Sequence, residues 1–191
     1  INKANGLEWT HCEDLIFHAG NEFHKFEILN VYQAGMNVDH MRWFAPYHHA
    51  TLWSDNVPQN YISARDNNGA FYPRTQNQEN NSTESEYVIV HFTLETPPID
   101  DDIYVNGQWS HGETNQAYLM QYNEEYSFYE TSVLLKQGYY EYQYITSDGS
   151  TTRTMNDFWQ TENEYQSMIY YREVGGRYDR IVGYSCVNTR H

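Results

Sequence analysis

The stretch Glu86-Tyr87-Val88-Ile89-Val90-His91-Phe92-Thr93-Leu94 decides the fold class. Val88, Val90, Phe92 and Leu94 fall on one face and Tyr87, His91 and Thr93 on the other, the period of two that marks a half-buried β-strand. Pro97 and Pro98, then Asp100, Asp101 and Asp102, interrupt the pattern, and Ile103-Tyr104-Val105 resumes it before Asn106-Gly107. Further strands are predicted over Ala117 to Tyr122, Phe128 to Lys136, Tyr139 to Ile145, Glu164 to Arg172 and Tyr178 to Val187, with Gln137-Gly138, Asp148-Gly149 and Gly175-Gly176 as turns. Short strands with turn chemistry at near-regular spacing predict an Ig-like β-sandwich over residues 86–191.

Upstream, Glu22 to Tyr32, Thr51 to Ser54, Tyr61 to Ala64 and Ala70 to Pro73 read as strands around the turn Asp66-Asn67-Asn68-Gly69. They predict a first β domain over residues 1–85, incomplete at its N-terminus. The polar run Gln76 to Glu84 has nothing to bury and predicts a linker, with the boundary near Ser85. Composition agrees with an all-β chain: 19 Tyr and 5 Trp accompany only 8 Leu and 8 Ala, and aromatics favour strands where Ala and Leu favour helices.

Among 191 residues, 26 Asp and Glu against 11 Lys and Arg leave a net charge of −15. Nucleic-acid binding is disfavoured, because it needs a basic footprint. No apolar run approaches the ~18 residues of a membrane span, so the chain is not expected to cross a membrane by a helix. Cys12 and Cys186 lie at opposite ends, which fits neither a disulfide scaffold nor a zinc module and leaves their pairing open. The start at Ile1, with no visible leader, reads as a mature or trimmed fragment.

Chemistry-bearing clusters are few. His11-Cys12-Glu13 and His48-His49 are consecutive, and neighbours on a strand point to opposite faces, so no metal site is expected. Asp100 to Asp102 lack the spaced oxygens and Gly of a calcium loop and predict a solvated turn. No nucleophile elbow, phosphate loop or zinc-helix motif is present. The expectation is a protein that is not an enzyme and has no cofactor. Tyr140, Tyr142 and Tyr144 share one strand face and, with Trp109, form a candidate interaction surface for protein or sugar; the competing reading is a sheet packed by cross-strand aromatic pairs. Gly138, Gly176, Arg177 and Asp179 are structural candidates. Gly175 to Asp179 predicts a tight hairpin turn, with Arg177 anchored on carbonyls or an acidic partner.

Several strings are more specific. Ala19-Gly20-Asn21-Glu22-Phe23, Asp66-Asn67-Asn68-Gly69, Glu86 to Leu94, Leu134-Leu135-Lys136-Gln137-Gly138-Tyr139-Tyr140 with Tyr142 and Tyr144, Thr161-Glu162-Asn163-Glu164-Tyr165 and Gly176 to Tyr184 occur in this order. Together they resemble the type IX secretion system plug protein family, in its C-terminal portion. The resemblance implies a non-catalytic periplasmic protein, associated with the outer membrane, that binds and closes the periplasmic opening of the secretion translocon barrel. Ile103-Tyr104-Val105-Asn106-Gly107-Gln108-Trp109 also looks like the early-set sandwiches that bind α-glucans, and a carbohydrate-binding module is the alternative. Gly112 stands where those modules place a stacking ring.

Overall fold

The computed structural model describes residues 2–3, 6–8, 10–77 and 81–189. In chain order its strands are β1 (Asn2–Lys3), β2 (Gly6–Leu7), β3 (His24–Ile28), β4 (Val38–Phe44), β5 (Tyr47–Leu52), β6 (Asp55–Asn56), β7 (Phe71–Pro73), β8 (Tyr87–Glu95), β9 (Ile103–Asn106), β10 (Gln121–Asn123), β11 (Phe128–Lys136), β12 (Gly138–Thr146), β13 (Glu164–Tyr171) and β14 (Arg180–Asn188). Helix among the described residues is limited to single turns such as Thr152–Met155.

The expected alternation in β8 holds: Val88, Val90, Phe92 and Leu94 are all 0% exposed. β8 sits inside a sheet of order β10-β11-β8-β5-β4, with β6 continuing along it beyond β5. The facing sheet centres on β12. Residues 138–142 of β12 pair with β3, residues 138–140 with β7, and residues 143–146 with β9. Side chains from the two inner faces, among them Phe26, Ile28, Phe92, Leu94, Val105 and Tyr144, fill one core. The fold is therefore an all-β sandwich. Its orders β5-β8-β11-β10 and β9-β12-β3 follow the A-B-E-D and C-F-G sheets of the Ig arrangement. Two features depart from it: β5 runs parallel to β8, and the G position is taken by β3, which lies far upstream of β12.

That departure corrects the expected division at Ser85. Strands of residues 1–85 complete both sheets, so the boundary does not separate two sheet systems. The polar run that suggested a linker, 76–84, lies partly outside the described residues. The structure also has no strand at Tyr61 to Ala64, where Tyr61 instead donates its hydroxyl to Glu22 at 2.5 Å. Conversely β4 was not predicted. A bulge between Val38 and His40 shifts its register against β5, which breaks the period-two pattern, and only Val38 is buried.

Two corners fix the path. Gln137 turns the chain from one sheet to the other. Its N–H donates to Glu86 O (2.8 Å), its side-chain Oε1 accepts from Glu86 N (3.0 Å), and its carbonyl accepts from Arg74 N (3.1 Å). Next to it, a Cβ on Gly138 would stand 2.4 Å from Tyr72 O and 2.8 Å from Pro73 Cα, so only glycine admits β7 at this distance. The second corner is the turn Asp66 to Gly69, gathered around Glu141. This carboxylate is fully buried and accepts from Asn67 N (2.7 Å), Asn67 Nδ2 (3.1 Å), Gly69 N (3.1 Å) and Tyr139 Oη (2.5 Å).

Candidate functional site

The expected surface of Tyr140, Tyr142, Tyr144 and Trp109 is interior: these residues are 2%, 2%, 0% and 7% exposed. The competing reading holds because β12 is flanked on its edges and faces β8 across the sandwich. Phe26 stacks on Tyr140 at 5.3 Å, Phe92 meets Tyr142 edge-on at 5.1 Å, and Trp109 stacks on Phe92 at 6.3 Å. Each polar tip has a partner, as buried tyrosines and tryptophans require. Tyr140 donates to Lys136 O (2.8 Å), Trp109 Nε1 to Glu141 O (3.0 Å), and Tyr142 and Tyr144 both to Asp55 Oδ2 (2.7 and 2.6 Å). Burial pushes the Tyr140 phenol up to about 12 and those of Tyr142 and Tyr144 well above their ordinary value. These rings are core, and no sugar can stack on them.

Asp55 also meets His24 Nδ1 at 3.2 Å, and His24 Nε2 is buried with no partner among the described residues. His24 lines a cleft of about 190 Å³ with Glu22, Phe23, Pro58 and Ile62. Burial raises the Glu22 carboxyl above its ordinary range, against the opposing hydrogen bond from Tyr61. A second imidazole chain crosses the outer face of the β8 sheet: His49 Nδ1 lies 2.8 Å from His91 Nε2, and Ser132 Oγ lies 2.7 Å from His91 Nδ1. His48 points the other way, against Trp43 and Tyr32, as strand alternation requires. Among the described residues no group of three or more His, Cys, Asp or Glu is placed to hold a metal ion, and Cys12 and Cys186 are free thiols. Asp101 is a turn brace, accepting from Ser147 Oγ (2.5 Å) and Arg153 Nη2 (2.6 Å).

Among the described residues, the strands of the hairpin β13–β14 pair only with each other, and the hairpin exposes many large apolar side chains. Ile169, Tyr170, Tyr178, Ile181, Val182 and Tyr184 are all more than half exposed. The base of this arm is tied to the sandwich. Asn163 Nδ2 donates to Ala19 O (2.8 Å), Thr161 Oγ1 donates to Gly20 O (2.9 Å), and Phe17 packs on Tyr165 at 5.7 Å. Its tip differs from the expected two-residue turn. The loop runs from 172 to 179, with a reverse turn closed by Gly176 N to Glu173 O (2.7 Å) and Gly175 at φ +84°. A Cβ on Gly176 would stand 2.9 Å from Glu173 O. Arg177 has no partner among the described residues. Instead Asp179 accepts both Nε (2.8 Å) and Nη2 (2.7 Å) of Arg172, and Glu173 accepts Arg180 Nη2 (2.8 Å). The sequence predicts a strand over Glu164 to Arg172, but nothing in it says that no second sheet covers this strand.

No family model and no curated protein matches this chain. Among solved structures it is similar to a hypothetical protein from Parabacteroides merdae ATCC 43184, with 37% identity over 93% of this chain and a TM-score of 0.86. The chain spans 47% of that protein's length. The likeness extends to the arrangement of the sandwich.

Proposed function

We propose that this chain is a non-catalytic binding module of a plug subunit, one that docks on the periplasmic opening of the type IX outer-membrane secretion translocon and closes it. The ordered strings from Ala19 to Tyr184 support the family. The observation that carries a docking role is the β13–β14 arm. A lone two-stranded hairpin is marginal in water, and one that exposes this many large apolar side chains is built to be covered by a partner. Specific interfaces bury ~1,200 to 2,000 Å² around aromatic and Arg anchors, and the arm offers Tyr170, Tyr171, Tyr178, Tyr184 and the unpaired Arg177. The glucan-platform alternative at Tyr140, Tyr142 and Tyr144 loses its surface, since those rings are core.

The test is copurification. The full-length protein should be retained with the outer-membrane barrel in detergent, and cells lacking it should admit large antibiotics. A double variant, Tyr170→Lys with Ile181→Asp, should keep the β-type circular dichroism of the wild type and lose the barrel. A barrel that purifies without this protein and still excludes large solutes overturns the proposal.

A further inference from the structure

An exposed sheet edge invites another strand, and folded proteins blunt their edges with short strands, bulges, Pro, Lys or covering loops. Among the described residues the sandwich blunts each of its edges. β6, β7 and β10 have at most three residues, and β4 carries the bulge at Val38 and His40. β3 gives its outward groups to the loop that follows it: Glu27 N donates to Met36 O (3.0 Å), and Lys25 O accepts from Asn37 Nδ2 (2.6 Å). β9 is covered by residues 118–120, where Val105 N donates to Tyr118 O (3.0 Å) and Met120 N to Ile103 O (2.8 Å).

The β13–β14 arm has two edges, and only one of them is blunted. Ile169 pairs with Gly183 and Tyr170 with Ile181, so Val182 is an extra residue that bulges β14. β13 runs for eight residues without a bulge, Pro, Lys or Arg, and its one charge is Glu164 at the start. The base of the arm fixes which backbone groups of β13 face outward. Thr189 N donates to Asn163 O (2.9 Å), and hydrogen-bonded pairs alternate along an antiparallel ladder, so Tyr165, Ser167 and Ile169 turn their N–H and C=O towards β14. Those of Glu164, Gln166, Met168 and Tyr170 point away from it, and among the described residues no strand takes them up.

Charge selects the strand that fits this edge. The base of the arm, residues 161–168, holds Glu162 and Glu164 and no cation, whereas its tip, residues 172–180, holds Arg172, Arg177 and Arg180 against Glu173 and Asp179. In a chain of net charge −15 the tip is a local cationic excess. A second arm laid antiparallel along β13 sets its tip beside this base and its base beside this tip. Opposite charges across neighbouring strands are favourable and like charges are not, so the parallel arrangement, which sets base against base, is disfavoured.

We infer that two copies of this chain pair antiparallel through β13, joining their arms into a four-stranded sheet of order β14-β13-β13-β14 about a two-fold axis. The pairing uses the edge of the arm and leaves its faces free for the barrel, so it does not rest on the plug reading. The test is sedimentation velocity of the full chain from ~1 μM to ~1 mM, the span of weak specific association, with amide hydrogen exchange at both ends of that range. The mass should double as concentration rises. The amides of Gln166, Met168 and Tyr170 should gain protection with it, while that of Ser167 is protected throughout. Met168→Pro removes an N–H that the β13–β14 ladder does not use, and Met168→Lys adds the charge that guards natural edges. Both variants should keep the circular dichroism of the wild type and stay monomeric, and the Lys variant decides if the Pro variant unfolds the arm. Val187→Ser, on β14, should still dimerise. A monomer across the whole range, a dimer that survives Met168→Lys, association without protection of the three outward amides, or loss of the dimer in Val187→Ser would each overturn the inference.

Discussion

Glu141 shows how one side chain can specify a turn two sheets' worth of sequence away. Its carboxylate takes four hydrogen bonds from Asn67, Gly69 and Tyr139, and its own carbonyl receives the Trp109 indole. Replacing it by Gln swaps an acceptor for an amide donor facing backbone N–H groups. Hydrogen bonds to a charged group are each worth ~1.5 to 3 kcal/mol, so Glu141→Gln should lower unfolding free energy by about 3 kcal/mol in denaturant titrations. An unchanged midpoint would show that the turn holds itself. His91 makes a second residue-scale prediction. Burial, with His49 beside it, holds its imidazole below the ordinary value of 6.5. The neutral form is thus favoured on folding, and its stabilisation is complete above pH 6.5 and lost as pH falls from there through the depressed value. Wild type should lose stability relative to His91→Gln on acidification from pH 7 to pH 5. Parallel curves for the two proteins would refute this.

At the scale of elements, the arm's tip separates two kinds of arginine. Arg177 is exposed and makes no hydrogen bond or ion pair among the described residues, so Arg177→Ala should change stability by less than ~0.5 kcal/mol. Asp179→Asn, which breaks an exposed bidentate pair with Arg172, should destabilise slightly, and less at high salt. Thermal melts at two ionic strengths distinguish them. Adjacent glycines suggest a two-residue hairpin at the tip, while the pairing of Arg172 with Asp179 depends on a register that only the folded strands set. Elsewhere the elements were legible where burial is one-sided. β8, β11, β13 and β14 fall within two residues of their predicted limits, since alternation and Gly-containing turns are local signals. β4 escaped because its bulge shifts the alternation. The tyrosines of β12 have the same alternation whether their face meets solvent or another sheet, so sequence could place them on one face without saying which.

For the whole molecule, strands from both sides of Ser85 share both sheets of the sandwich. Fragments 1–85 and 86–191 expressed separately should each lack the dispersed amide spectrum of a folded protein, and mixing them should restore it. A folded 86–191 fragment on its own would mean that β3 and β5 decorate the sandwich and do not complete it. The pairing of β3 with β12 also sets an order on synthesis. Chain emerging from the ribosome carries His24 to Ile28 long before Gly138 to Tyr142 exists, so the first strand of the facing sheet waits, unpaired, while the intervening residues are made. Such distant pairing slows folding, and it keeps the nascent chain open until residue 146 is out.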